Sequence, residues 1–401
     1  MRAGRRLTIL AVGVLTVSAC GSAASPLPVP TNVATTLPAS SAPASSAPAS
    51  SAPASSAPAS SAADPYAAAA AAAAAACPSP SLASANRTVT TTPFTKSPPW
   101  TIGAAFGEEA DSWTAFNVAE INYQASKDSR IATMLDSNAN FVVTKQVANI
   151  QDLITKKVSG IIYLPVDDGA LTAVLQQAVA AGIPVVDEGN GFADHAGITA
   201  NAQIDNYVLG REVAVRLMES LHGKGQIVSI IPIAGTTAAT LQHDALQCVL
   251  KLYPGITLLD EKNGDWDTAK SKTITEAWLQ RFPKIDGVFS PSGLMSHGVV
   301  EAFDEVGRLN EVTMSPGDES NGWLKWIATH PAKNTGLILF PPTIGKAAVT
   351  IMTNILSGTS VPFGTWEGAN YVDPTDAAAL ANPNKGDDWW PNDLPGGDVT
   401  P

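Results

Sequence analysis

Residues 141–190 read FVVTKQVANIQDLITKKVSGIIYLPVDDGALTAVLQQAVAAGIPVVDEGN, and this stretch decides the fold. Its hydrophobic pattern predicts strand, helix, strand, helix and strand in turn, at 141–144, 147–158, 160–164, 169–181 and 183–187. The strand segments carry apolar runs too continuous for a one-faced sheet, which is typical of parallel strands that helices cover on both faces. We therefore predict an α/β fold built on doubly wound parallel sheets.

Polar side chains follow the carboxyl ends of these predicted strands. Asp167 comes after the second strand, and Asp187 and Glu188 close the third, with Asn190 two residues further on. Open parallel sheets bind small molecules just beyond the carboxyl ends of their strands. The ends of these strands are therefore the first place where we expect a binding site.

Two doubly wound lobes are predicted for residues 100–401. The first lobe opens with a buried strand at 101–106 and continues with a long helix at 112–134. Past Asp205 the alternation of helices and strands restarts with short loops between them, which predicts a second lobe. The chain after Ser357, rich in Trp, Pro, Gly and Asp, is predicted to be irregular.

The N-terminus resembles the leader of a bacterial lipoprotein. Arginines precede the apolar run from Leu7 to Val17, and Val17-Ser18-Ala19-Cys20 has the form of a lipobox. The apolar run is short for a membrane span, which needs ~20 residues. An ordinary secretory signal and an uncleaved anchor are the alternatives. We expect residues 1–20 to be a signal peptide, with lipid on Cys20 holding the protein in the cell envelope at the outer face of the cytoplasmic membrane.

Residues 21–99 consist mostly of Ala, Ser, Pro and Thr, including an alanine run at 67–76. So few large apolar side chains cannot offset the entropy of ordering a segment. We therefore predict a disordered tether that packs against neither lobe. Cys77 in this tether and Cys248 in a predicted helix could pair in an oxidising compartment, and the sequence leaves that question open.

Charge and motifs exclude several function classes. The net charge is −12 and no basic run occurs, which argues against nucleic-acid binding. The histidines show no metal-ligand spacing, and neither a phosphate-binding loop nor a nucleophile elbow is present. We therefore expect no enzyme activity, no cofactor and no metal.

Seven short segments carry a resemblance to a known family through their order and spacing. They are VANIQDLI (147–154), GIIYLPVD (160–167), AGIPVVD (181–187), DNYVLG (205–210), AGTTAA (234–239), DGVF (286–289) and PTIG (342–345). From Trp100 to about Val372 the chain resembles the type I solute-binding proteins of sugar ABC importers, particularly the ribose-binding branch. The resemblance implies two doubly wound parallel-sheet lobes joined by a three-strand hinge, with a ligand in the cleft.

The same resemblance implies lobe boundaries and hinge crossings. The N-terminal lobe would comprise 100–204 and 341–358, and the C-terminal lobe and tail would comprise 205–340 and 359–401. The hinge crossings would fall near 199–205, 339–342 and 357–362.

Cleft residues carry over from the family position by position. Two aromatic platforms match Trp113 and Trp266, one in each lobe, and both also suit a core position. The complete implied set is Asp111, Trp113, Asp167, Glu188, Gln242, Trp266, Ser292 and Asp318. Asp167 and Asp318 equally suit helix caps, and His243 is a further candidate contact.

Two arginines that the family commonly uses for sugar hydroxyls are missing. The loop after the third strand reads Asp187-Glu188-Gly189-Asn190, and Gln242 stands where the second arginine is expected. This loss favours a deoxy sugar, a polyol or another moderately apolar solute over a pentose.

We predict a monomeric, lipid-anchored, extracytoplasmic solute-binding protein that captures a sugar, deoxy sugar or polyol for an ABC permease. The alternative is a ligand sensor of the same fold that signals to a membrane receptor. A surface hydrolase on an α/β scaffold is a third class, which the absent catalytic motifs disfavour.

Overall fold

Two parallel sheets, each covered by helices, form the framework of the protein. The computed structural model describes residues 64–80, 87–189, 194–330, 336–366, 369–395 and 397. All of these residues belong to one compact unit that spans 52–401. The predicted α/β fold is confirmed.

The alanine run forms a helix, α1 (Ala67–Ala76), which packs against the second lobe. Ala70 and Ala73 are buried there, and Asp64 just before the helix pairs with Arg216. Cys77 follows the helix and forms a disulfide with Cys248, so the open question of their pairing is answered. The prediction of a disordered tether is wrong here, because small alanine side chains allow close packing and the disulfide holds the segment in place.

Residues 87–99 are packed as well, against the first lobe. The Val89 amide donates to the Val361 carbonyl at 2.9 Å, and the Phe363 amide donates to the Arg87 carbonyl at 2.7 Å. The predicted tether therefore includes two ordered pieces, 64–80 and 87–99. Residues 1–63, with the predicted leader and Cys20, lie outside the described residues.

The first lobe supplies most of one sheet. Its elements are β1 (Trp100–Phe106), α2 (Ser112–Lys127), β2 (Ile131–Asn138), α3 (Val143–Thr155), β3 (Gly160–Leu164), α4 (Asp168–Ala180), β4 (Val185–Gly189) and β5 (Ala200–Gln203). Strands β1, β3 and β4 are almost wholly buried, as the apolar runs in them predict, although β4 also buries Asp187 and Glu188. Each is thus covered on both faces.

The second lobe repeats the alternation. Its elements are α5 (Asn206–Ser220), β6 (Lys224–Ile231), α6 (Thr237–Leu250), β7 (Gly255–Asn263), α7 (Thr268–Arg281), β8 (Gly287–Phe289), α8 (Gly293–Glu305), β9 (Thr313–Met314), α9 (Asn321–Thr329) and β10 (Leu337–Ile338). Within the described ranges its sheet has the order β7-β6-β8-β9, with every pair parallel. Both lobes therefore present their strand ends as open parallel sheets do.

The chain then returns to the first lobe before it crosses again. The remaining elements are α10 (Ile344–Leu356), β11 (Gly364–Trp366), β12 (Tyr371–Val372) and α11 (Pro374–Leu380). Strand β11 pairs in parallel with β5, so the described strands of the first sheet run β11-β5-β4-β3-β1-β2. Strand β12 pairs with β10 of the second lobe. The third crossing thus follows residue 366, later than the boundary at 358 that the sequence suggested.

One strand and one helix end differ from the sequence prediction. Residues 141–144 form no strand, because Asn140 and Phe141 have positive φ values of 53° and 60° and turn the chain into α3. The strand is β2 instead, which begins inside the predicted 112–134 helix and continues to Asn138. Its residues are half-exposed at the sheet edge, so its sequence lacks the continuous apolar run by which a buried strand is recognised.

No helix in the described part of the chain has both the length and the apolar content to cross a membrane.

Candidate ligand-binding cleft

A small cavity lies where residues of both lobes, the hinge and the C-terminal tail meet. Its lining residues are Asp111, Trp113, Thr114, Asn206, Leu209, Gln242, Trp266, Pro291, Ser292, Leu294, Asp318, Phe340 and Trp390. Six of the eight residues that the sequence implied for ligand contact meet at this cavity.

Trp113 is held at the start of α2 by contacts on both sides. The Asp111 carboxylate caps the helix by accepting from the Thr114 amide at 2.9 Å. The Trp113 indole donates its N–H to the Phe340 carbonyl at 2.7 Å, and the two rings lie 5.3 Å apart. The indole of the first lobe is thereby fastened to a hinge crossing.

Gly189 at the end of β4 leaves room for the Trp113 ring. A Cβ at this position would lie 3.2 Å from the indole and 2.6 Å from Leu164, and the φ of Gly189 is +84°. Any other residue would be strained here and would displace the indole. The absence of a side chain at Gly189 thus allows the Trp113 ring to occupy its place.

Trp266 lies in the turn between β7 and α7. Asp265 and Trp266 have φ values of 57° and 54°, a conformation that bulky residues rarely adopt. The next residue, Asp267, caps α7 by accepting from the Lys270 amide at 2.6 Å. Such strain is commonly kept where a side chain must be presented for function, and here it aims the half-buried indole at the cleft wall.

Asp318 and Ser292 meet at the N-terminus of α8. The Asp318 carboxylate accepts from the Gly293 amide at 2.6 Å, and both side chains are buried. Burial, and then the neighbouring Glu319, raise the pKa of Asp318 well above its ordinary value. Asp318 therefore does cap a helix, as one interpretation of the sequence held, while it also lines the cavity.

Trp390 is a cavity residue that the sequence reasoning missed. Its ring is almost fully buried, and its indole N–H donates to the Ser112 hydroxyl at 2.9 Å. Trp390 lies in the irregular tail, where no periodic pattern indicates which side chains are buried. The only available signal was the Trp389-Trp390 pair in an otherwise polar segment.

The tail that carries Trp390 contacts both lobes. On the second lobe, the Asn321 amide donates to the Trp389 carbonyl at 2.9 Å, and its side chain donates to Gly386 at 2.8 Å. On the first lobe, the Asp393 amide donates to buried Glu120 at 2.7 Å. Residues 386–393 therefore connect the lobes beside the cavity.

Asp167 and Glu188 do not line the cavity. Asp167 caps α4 by accepting from the Ala170 amide at 3.1 Å. Glu188 is fully buried, and its carboxyl accepts from the Asn117 side chain at 2.7 Å. The candidate contact His243 instead lies 2.6 Å from the Glu261 carboxylate, and Asn190 lies outside the described residues.

The burial of Glu188 predicts a pH dependence of stability. Burial raises its pKa to about 8 from an ordinary value near 4.5. The folded protein thus keeps a proton that the unfolded chain loses, so this contribution to stability is full below about pH 4.5 and is lost as the pH rises through about 8. Glu188→Gln should therefore flatten the fall of the melting temperature over this interval.

The measurement is a series of melting curves across that pH range. Glu108 and Glu319, whose pKa values burial raises to about 9 and about 7, shift stability in the same direction and remain in the variant. The exposed Glu311→Gln is the matched control and should leave the slope unchanged. An unaltered slope in Glu188→Gln would contradict the prediction.

Comparison with known proteins identifies the family. A model of the periplasmic binding protein domain matches residues 110–360, well over half of the chain. The chain belongs to the periplasmic binding protein family. The resemblance to its type I, sugar-binding members is thereby confirmed.

Individual periplasmic binding proteins show the same similarity. The chain is 28% identical to the xylitol-binding protein of Mycolicibacterium smegmatis over 173 residues, 43% of this chain and 49% of the relative, so it spans about half of that protein. It is 26% identical to the ribose import binding protein of Bacillus subtilis over 219 residues, 54% and 70% of the two chains. An ABC transporter solute binding protein from Mycobacterium smegmatis with bound glycerol superposes with a TM-score of 0.62 at 25% identity, covering 71% of this chain and 97% of that one. These relatives are named as binding proteins rather than enzymes.

Proposed function

We propose that this protein is a lipid-anchored, extracytoplasmic binding protein that captures a sugar, deoxy sugar or polyol in its interlobe cavity and delivers it to an ABC permease. The cavity carries the proposal, since indole surfaces from both lobes and the tail adjoin buried polar side chains in one small space. Flat aromatic rings suit the C–H faces of a sugar or cyclic polyol, and carboxylates accept hydrogen bonds from its hydroxyls. The ligands named for the relatives, xylitol, ribose and glycerol, are sugars or polyols.

The direct test is a thermal-shift screen of sugars, deoxy sugars and polyols, followed by calorimetry on the hits. Binding to the folded state stabilises it by RT ln(1 + [L]/Kd), so a bound ligand raises the melting temperature further as its concentration rises. Phe340→Ala, which removes the ring beside Trp113 at the hinge, should reduce the shift for every hit. A screen in which no sugar or polyol raises the melting temperature would refute the proposed function.

Cys20→Ala should release the protein from the membrane. The lipobox Val17-Ser18-Ala19-Cys20 motivates this prediction, because the Cys20 thiol is the group that would carry lipid. Detergent-phase partitioning and mass spectrometry of the N-terminal peptide measure the outcome. Ala19→Gly, which keeps a small residue before the cysteine, is the matched control. Equal partitioning of Cys20→Ala and wild type, without a lipid mass in either, would contradict the prediction.

A further inference from the structure

The charged side chains that line the cavity are acidic. They are Asp111 and Asp318, and no Lys, Arg or His lies among the described lining residues. Neither carboxylate belongs to any ion pair of the described chain; Asp111 caps α2, and Asp318 accepts from the backbone at α8. The cavity thus offers two carboxylates to a ligand and no cation of its own.

The groove that adjoins the cavity continues this charge pattern. It has a volume of about 710 Å³, shares Asp111, Trp266 and Leu294 with the cavity, and adds further acidic residues. These are Glu109, Asp267 and Asp388, the last of them from the C-terminal tail. Its described lining includes no basic side chain. A path lined by one sign of charge concentrates ligands of the opposite sign.

A second, independent observation is that the side-chain oxygen of Gln242 lacks a hydrogen-bond donor among the described residues. Its side chain is only 3% exposed, and its Nε2 donates to the Asn206 Oδ1 at 2.8 Å. Its Oε1 is buried without a hydrogen-bond partner among the described residues. A buried acceptor left unpaired is costly, so a ligand that brings a donor is favoured at this point.

The tryptophans offer the cavity ring surface rather than hydrogen-bond donors. The N–H of Trp113 is already bonded to Phe340, and that of Trp390 to Ser112. Indole faces are electron-rich and attract cations as well as C–H groups. A metal ion is a poor candidate, because no group of three His, Cys, Asp or Glu side chains in the described part of the chain could hold one.

We propose that the cleft selects sugars or cyclitols that carry a protonated amine over their neutral counterparts. This inference rests on the proposed function and names the substrate class of the same cavity. The ammonium group pairs with Asp111 or Asp318 and donates to Gln242, while the ring lies against indole surfaces. Although burial raises the pKa of Asp318 in the empty cleft, an adjacent cation favours its ionised form.

Calorimetry on matched ligand pairs tests this selectivity with the full chain. The probes form three sets, each with a neutral compound and its amine. The first set is D-glucose and D-glucosamine, with N-acetyl-D-glucosamine as the acetylated form. The second is D-sorbitol and 1-amino-1-deoxy-D-sorbitol, and the third is myo-inositol and its monoamino analogue. On the skeleton that binds best, the amine should bind roughly tenfold or more tightly than the neutral form, because hydrogen bonds to charged groups are stronger. N-acetylation and added salt should both remove the advantage.

Two substitutions identify the groups responsible. Asp111→Asn and Asp318→Asn keep an oxygen that accepts the same backbone hydrogen bond, so both variants should fold, and at least one should lose the amine preference. Asp304→Asn makes the same charge change at an exposed site outside the cavity and should retain the preference.

The outcomes separate the inference from the proposed function. Equal or tighter binding of the neutral member of each pair that binds would overturn the amine preference and leave the proposed function standing. Retention of the preference in both aspartate variants would also overturn the inference. Failure of every neutral and amino compound to bind would overturn both proposals.

Discussion

Replacing Trp266 with alanine is expected to weaken binding of the best sugar or polyol ligand by at least ~30-fold, because truncating a buried aromatic anchor costs roughly 2 kcal/mol or more. The strained backbone at Asp265 and Trp266 is retained in the folded chain, which indicates that the position of this side chain matters. The same loss is expected for Trp113→Ala. This indole also holds the hinge through Phe340, so Trp113→Phe separates loss of ring surface from loss of the 2.7 Å hydrogen bond.

Calorimetric titration of each variant measures the effect. The matched control is Trp326→Ala, which removes an indole stacked on Trp323 and His330 outside the cavity. This variant should bind the ligand with the affinity of the wild type. Circular dichroism melting curves confirm that the variants are folded. Wild-type affinity in both Trp266→Ala and Trp113→Ala would show that the aromatic walls do not contact the ligand.

Loss of the disulfide between Cys77 and Cys248 is expected to lower the free energy of unfolding by roughly 2–5 kcal/mol. The cross-link joins residues 171 positions apart, and long closed loops restrict the unfolded chain most. It also holds α1 on the second lobe, where Arg211 donates to the Cys77 carbonyl at 3.2 Å. The double variant Cys77→Ser, Cys248→Ser should therefore release this segment as well as destabilise the fold.

Denaturant unfolding of wild type and the double variant, with and without reductant, measures the difference. Reductant should destabilise the wild type to the level of the variant and leave the variant unchanged. Ligand affinity should be nearly equal in the two proteins, because neither cysteine lines the cavity. Equal unfolding free energies for wild type and variant would contradict the prediction.

The parts of the fold that the sequence predicted are those with continuous apolar patterns. Strand β3 is buried and apolar from end to end, and β4 begins with the apolar pair Val185-Val186, so both indicate buried parallel strands directly. Strand β2 lies half-exposed at the sheet edge and carries no such pattern. Residues 141–144 have strand-forming side chains, but the turn at Asn140 and Phe141 depends on tertiary context that a short window does not contain.

The cavity residues also divide into those that a local sequence pattern predicts and those that depend on contacts between distant parts of the chain. Trp113 and Trp266 follow strand ends, so a family pattern places them, and Asp318 is found in the same way. Trp390 reaches the cavity because the tail is held by Asn321 on one lobe and by Glu120 on the other, a contact between residues far apart in the chain. The packing of α1 depends likewise on a distant partner, Cys248.

Strand β11 links the order of synthesis to the completion of the first sheet. The strand pairs with β5, yet it is synthesised after all four strands of the second lobe's parallel sheet. Until residue 366 has left the ribosome, β5 remains an open edge that can pair with another chain. An N-terminal fragment that ends before β11 would therefore keep an aggregation-prone edge, and the sheet of the first lobe becomes complete only after the sheet of the second lobe has been synthesised.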